Sequence, residues 1–343
     1  MDTILNKLEY MQIIQIIEKY CKTYLGKNYC VSLVPSFATN TVTKLLQETN
    51  EASKLLVQKG TPPLFELETL ETYIKMLESG QTLSIKGLLE VCKLLQMSYE
   101  LRNYFFKDEN LNLASFNNKD FESSSSTTED FNLSAFCALE PYFSNLYTNP
   151  STMTEISSKL LDENTVVDNA SSKLSSLRKN RKNIEGQIKD KLNAFVHSSK
   201  YLMEPIITIR NNRYVVPVKE EYRDMVKGFI HDTSSSGSTL YIEPMTIFEL
   251  NNQMNHIKME EEIEIEKILQ MLSGLLFPVA TQLQQNLSLV GNIDLIFAKA
   301  VYGNEQNAII PQMNDKKIID FAQARHPLLD RAIAIPITVS LGK

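Results

Sequence analysis

The sequence is short of the residues that most chemistries need. Its 343 residues include no tryptophan, four histidines and four cysteines, and Cys21, Cys30, Cys92 and Cys137 form no C-x-x-C pair. A disulfide framework or zinc site is therefore not expected, and reduced, mostly buried thiols are. The histidines, His197, His231, His256 and His326, are too scattered to complete a metal set around the adjacent His231 and Asp232, so no independent metal-dependent active site is read. No G-x-x-x-x-G-K-S/T string occurs, which excludes a complete phosphate-loop ATPase site within these residues. There is neither an apolar run of eighteen residues nor a charged-then-apolar leader, so no membrane span or secretion signal is read and a cytoplasmic setting is expected.

What is present is mostly helical periodicity. At 43% hydrophobic residues the chain can bury a sizeable core, and its length suits two or three domains. One stripe runs Ile4, Leu8, Met11, Ile14, Ile17, Cys21 and Leu25, with Gly26 as its stop. A second starts at Asn40 as cap, passes Val42, Leu45, Leu46, Thr49, Ala52 and Leu56, and stops at Gly60. Further helices are predicted from Leu67 to Leu77, from Ser84 through Leu101, from Phe131 to Leu146, from Ser151 to Leu161, and through Leu283, Leu287 and Ile293 to Tyr302. The pattern fails between Lys107 and Glu129, where Ser123 to Thr128 marks a surface loop or linker. The tail from Ile309 reads as short strands.

Pro205 to Pro244 is the stretch where alternation and turn chemistry replace the helical period. Asn211-Asn212, between β-branched and aromatic runs, suits the positive φ of a two-residue hairpin turn. GFIHD and STLYIEP flank Ser234 to Gly237 as a second hairpin, its triple serine being a loop rather than a nucleophile or phosphate cradle. A small antiparallel sheet of about four strands is thus predicted. On either side lie seams in heptad rhythm: Leu174, Leu177, Arg181, Ile184, Ile188, Lys191 and Phe195 upstream, and Met254, Ile257, Glu261, Glu264, Ile268, Met271 and Leu275 downstream. The fold class expected is mainly α: a helical body with a long antiparallel coiled-coil arm, each helix roughly 40 Å at 1.5 Å per residue, carrying the sheet at its tip. The polar seam residues are expected to leave the arm free to flex.

Charge follows the same division. Ser171 to Ile230 holds thirteen Lys or Arg against six Asp or Glu, a balance of +7 in a chain whose total is −6, so that the rest carries −13. Such a basic island is the footprint of phosphate-backbone binding. Its candidate contacts are Arg178, Lys179 and Lys182 on the leading helix and Arg210, Arg213, Lys219, Arg223 and Lys227 on the sheet. For the helix charges, pairing across to Glu260-Glu261-Glu262 is an equal alternative. For the sheet charges, which have few acidic neighbours in sequence, binding is favoured. Arg210 and Arg213 flank the turn on one edge and are expected to reach a backbone together. The rival from another class is a scaffold whose arm docks a protein.

The strings DNASSKLSSLRKNRKNIEGQIKDKL, EPIITIRNNRYVVPVKEEYR, GFIHDTSSSGSTLYIEP, ELNN at Glu249, NIDLIFAKAVY and ARHPLL at Ala324 resemble the bacterial MutS-two branch, a paralogue of the MutS mismatch-repair ATPases. The likeness covers nearly the whole chain. It implies a fragment that stops before the ATPase domain, with 1–165 as a helical core and lever, 166–285 as a clamp with helical arms and β tip, and 286–343 as a helix returning to the core followed by the start of the ATPase domain. No Phe is followed by Glu two positions later, so the mismatch-reading wedge is missing and mismatch repair is not implied. The resemblance implies a parent that uses ATP and Mg, acts as a homodimer, carries a nuclease-type domain, and binds duplex or branched DNA or the ribosome, in suppressing recombination or splitting collided ribosomes. It implies no cofactor, metal or catalytic residue in the present chain.

Overall fold

The computed structural model describes residues 2–107, 133–330 and 333–342, so the stretch Ser123–Thr128 lies outside it. In chain order the elements are α1 (Asp2–Lys7), α2 (Tyr10–Glu18), α3 (Tyr24–Val31), α4 (Thr39–Lys59), α5 (Glu71–Glu78), α6 (Ile85–Phe106), α7 (Glu140–Ser144), α8 (Pro150–Lys159), β1 (Leu160–Asp162), β2 (Thr165–Val166), α9 (Ser172–Ser198), β3 (Thr208–Arg210), β4 (Arg213–Lys219), β5 (Gly228–Thr233), β6 (Thr239–Pro244), α10 (Phe248–Leu276), α11 (Ala280–Glu305), β7 (Ile319–Ala324) and β8 (Ile337–Leu341). The fold is mainly helical with small antiparallel sheets, as the periodicity predicts. The chain forms two compact units, one of residues 1–81, 87–154 and 275–343, the other of 82–86 and 155–274.

The first unit is built around α11, whose residues from Ile293 to Ala298 are all buried, the mark of a helix covered on every side. Its one charged residue in that run, Asp294, accepts from Lys22 N, Thr23 N at 2.7 Å and Thr23 Oγ1 at 2.7 Å. Burial pushes the Asp294 carboxyl above its ordinary range, against the pull of those donors. This corrects the first stripe: it is three helices, broken at Glu9, which has φ 55°, and again before Thr23, whose hydroxyl caps α3 by accepting from Gly26 N. Gly26 therefore lies inside α3 and ends nothing. A Cβ on it would come within 2.2 Å of Asp294 Oδ2, so the position demands glycine for space. Of the predicted stripe, Leu8 and Met11 on either side of the break at Glu9 are exposed, and burial begins at Ile14.

The α4 stripe is also rotated from the expected one. Its buried face is Glu48, Glu51, Ala52 and Leu55, while Leu45 is exposed. Glu51 Oε2 accepts from Ala138 N and Leu139 N at the start of α7, and Glu48 Oε1 accepts from Tyr142 Oη at 2.8 Å, so both buried carboxylates meet donors. Gly60 follows α4 with φ 73°, the predicted stop. The expected helix from Phe131 to Leu146 is only a 3-10 turn at Leu133–Phe136 and the short α7 among the described residues. Cys21 and Cys30 are buried, Cys92 is half-buried and Cys137 is exposed. The tail strands β7 and β8 pair antiparallel.

In the second unit α9 and α10 run antiparallel. Ser171, which caps α9, donates its hydroxyl to Glu264 at 2.7 Å; Arg178 meets Glu261; and Ile188 shares a core cluster with Leu250 and Met254. The seams depart from strict heptads in one half of each helix. In α9 burial passes from Ile188 to Leu192 and Val196, leaving Lys191 exposed. In α10 it passes from Ile268 to Leu272 and Leu276, leaving Met271 and Leu275 exposed. Steps of four follow the 3.6-residue period of an unsupercoiled helix.

Between the two helices lies a four-stranded sheet of order β3-β4-β6-β5, all pairs antiparallel. One face, Val216, Val218, Leu240 and Ile242, packs on Ile188, Leu192 and Val196 of α9 and on Leu250 and Met254 of α10. The alternation of β4 and β6 selects that face. β5 carries a bulge between Ile230 and Asp232, where an extra residue, His231, interrupts the register with β6.

Candidate nucleic-acid interface

The turn at Asn211-Asn212 has both residues at positive φ, 49° and 61°, with Arg210 directly opposite Arg213. This is the two-residue hairpin the asparagines predict. It lies at the end of the sheet that meets the start of α10: Tyr214 exchanges both backbone hydrogen bonds with the Asn251 amide, and Arg213 reaches Asn252. The opposite end carries the Ser234–Gly237 loop and the first residues of the 3-10 turn Glu220–Met225, since Glu220 N donates to Ser238 O.

The two turn arginines diverge. Arg213 Nη1 donates to both oxygens of Glu243, at 2.7 and 3.0 Å, and Nη2 to Asn252 Oδ1 at 2.6 Å. Glu243 is fully buried and also takes Asn251 Nδ2 at 2.7 Å, with His231 Nε2 2.6 Å from its second oxygen. A carboxylate on the central strand is thereby satisfied by three side chains, Arg213, Asn251 and His231, the condition for leaving a charge in a dry site. Arg210 instead lies over the Tyr241 ring, its guanidinium carbon 4.3 Å from the centroid, with Asp232 at 3.2 Å. The expectation that both would reach outward together is corrected: cross-strand partners that are distant in sequence turn Arg213 inward.

The sheet charges therefore do have acidic neighbours. Six Lys or Arg and six Asp or Glu lie between Ser199 and Ile247, a balance of zero, because Asp232 and Glu243 stand just past the stretch that counts as basic. The excess sits on α9, with seven Lys or Arg against two acids between Ser172 and Ser198. Part of it is spent within the arm. Arg178 pairs with Glu261 at 2.8 Å and with Asp168, and also donates to Val166 O; Arg181 pairs with Glu261 at 2.6 Å. Of the polar seam residues, Arg181, Glu261 and Glu264 are thus partnered across the arm, while Lys191 stays exposed. Arg178 holds the exposed Asp168 carboxyl below its ordinary range.

Lys179 and Lys182 are exposed on α9, and Arg223 and Lys227 are exposed beside the sheet; none has an ion pair among the described residues. Lys219 is half-buried at the end of β4 and likewise unpaired there. Of the eight predicted residues, five thus remain available to an outside anion, Arg210 is shared, and Arg178 and Arg213 are engaged inside the protein. The buried Glu243 network escaped sequence reasoning. Its one signal is a carboxylate near the end of the strand, in LYIEP, after apolar Leu240 and Ile242.

No family model matches the chain. It is similar along its whole length to proteins described as Endonuclease MutS2: that of Acetivibrio thermocellus, 35% identical over 342 residues, which cover 99% of this chain and 40% of the relative; that of Clostridium botulinum strain 657, 35% identical over 343 residues, 100% of this chain and 41% of the relative; and that of Clostridium acetobutylicum, 36% identical over 340 residues, 99% and 40%. The chain spans about two fifths of the length of these curated relatives.

Proposed function

We propose that this chain, homologous over its full extent to a region of the MutS2 endonucleases, is a clamp and lever module that holds the sugar-phosphate backbone of a nucleic acid. The observation that carries the reading is a set of exposed cations that form no ion pair among the described residues, Lys179, Lys182, Arg223 and Lys227, in the same unit as the antiparallel arm and its sheet. Side chains of this kind contact phosphates and give affinity without reading sequence. Lys219 and Arg210 support them at the sheet. Within the parent protein the module would be driven by ATP with Mg through rearrangement of a homodimer, and its ligands would be branched or duplex DNA in suppressing recombination, or the ribosome where collided ribosomes are split. The chain itself has no phosphate-loop string for ATP, so hydrolysis and nuclease action are assigned to the rest of the parent.

Titration of a labelled duplex at rising salt tests this. Four phosphate contacts give a slope of about −4 in log affinity against log salt, since each releases roughly 0.9 counterions. A flat response overturns it and favours the second reading, a protein dock, for which the neutral sheet and the exposed Met225, Phe229, Ile230 and Met245 provide the surface.

A further inference from the structure

We propose that the notch beside Arg210 seats one unpaired pyrimidine base, cytosine before thymine. The inference rests on the nucleic-acid reading and adds to it a ligand feature, an unstacked base. Register puts Thr208, Arg210, Pro217 and Tyr241 on the sheet face turned away from the core cluster, since Thr208 stands opposite Val215 and Pro217 opposite Tyr241, while Val216 and Ile242 face the core. There they border a cavity of about 110 Å³, with Met203, Glu204, Ile206 and Thr239 completing its lining.

Three properties make this a base site. The first is size: at about 110 Å³ the cavity is smaller than the roughly 150 Å³ that encloses a benzene ring, so it takes the edge of one six-membered ring inserted from solvent and leaves no room for the second ring of a purine. The second is the platform. The Arg210 guanidinium is fixed against Tyr241 by Asp232 and by its own donation to Ile209 O at 3.0 Å, yet its side chain stays 38% exposed. Guanidinium planes and aromatic rings are the surfaces on which splayed bases stack, and a plane already ordered loses little entropy in doing so. Its charge, by contrast, is already shared with Asp232, which lessens its value to a phosphate. The third is polarity: Glu204 is an acceptor, as the amino group of cytosine requires and the O4 of thymine does not.

The test is fluorescence anisotropy of the full chain with labelled single strands of about 15 nucleotides, a length suited to a single-strand site. The strands are oligo-dC, oligo-dT, oligo-dA, the oligo-C RNA and a duplex of the same length. Tighter binding of the dC strand than of the dA strand is expected, and whichever of the DNA and RNA cytosine strands binds better names the source of the base. Tyr241→Ala should weaken oligo-dC binding about tenfold while leaving duplex affinity within about twofold; Tyr241→Phe, which keeps the ring and guards against a folding artefact, should retain it. Glu204→Ala should remove the preference for dC over dT. Equal affinity for dC and dA, or equal loss of single-strand and duplex binding in Tyr241→Ala, overturns the base site while leaving backbone binding standing. Failure of the wild-type chain to bind any of the five overturns both.

Discussion

Glu243 holds Arg213 through both carboxylate oxygens, at 2.7 and 3.0 Å, from a position with no solvent exposure. An arginine that borders an exposed turn is thus part of the inner structure of the sheet, joined there by Asn251, Asn252 and His231.

Removing it should be costly. Arg213→Ala leaves a buried carboxylate short of its main partner, and such truncations cost about 3–5 kcal/mol. Arg210→Ala, which frees only an exposed aspartate, should cost about 1 kcal/mol or less. Urea unfolding of the two variants checks this; similar small losses in both would mean that the Glu243 network contributes little.

Charge on α9 should set salt dependence rather than stability. The double variant Lys179→Glu, Lys182→Glu is expected to lower the salt slope of duplex binding by about 1 for each lost contact, equally for unrelated sequences, with the thermal midpoint unmoved. Variants that bind with the wild-type slope would remove α9 from the interface.

The arm should carry an acid-sensitive contact. Because the Asp168 pKa is depressed in the folded state by Arg178, the pair's contribution to stability is present above the ordinary aspartate range and is lost as pH falls through the lower, folded value. Carboxyl NMR titration should show Asp168 deprotonating at lower pH than an unstructured aspartate, and moving back toward the ordinary value in Arg178→Ala. An unchanged midpoint in that variant would assign the shift to another cause.

Gly26→Ala should destabilise the first unit by about 1–3 kcal/mol, the usual range for overpacking, because the added methyl meets Asp294. The same substitution in the double variant Gly26→Ala, Asp294→Ala should cost less than the sum of the two single effects. Additive losses would show that the contact is not the reason.

The hairpins, the asparagine turn and the arm helices are legible in the sequence because each depends on residues a few positions apart. Asn211 and Asn212 need only tolerate positive φ, and Ser171 caps the helix that starts at the next residue. Burial within the arm is less legible: a heptad carried past Ile188 points to Lys191, whereas the helix presents Leu192 one residue later. The fate of each arginine is not legible at all, since Asp232 and Glu243 reach Arg210 and Arg213 only once the strands are ordered β3-β4-β6-β5. Gly26 misleads for a related reason. Its partner Asp294 lies 268 positions away, and nothing local separates a glycine that ends a helix from one that makes room for a neighbour.

The extra residue in β5 bears on solubility. β5 is an outer strand of the sheet, and a straight outer strand offers an evenly spaced row of backbone groups onto which another chain can crystallise as fibril. With His231 inserted between Ile230 and Asp232 that row is out of step, so a foreign strand in regular register cannot satisfy it along its length. The edge of the sheet that carries exposed Phe229 and Ile230 is thereby a poor template for amyloid-like growth.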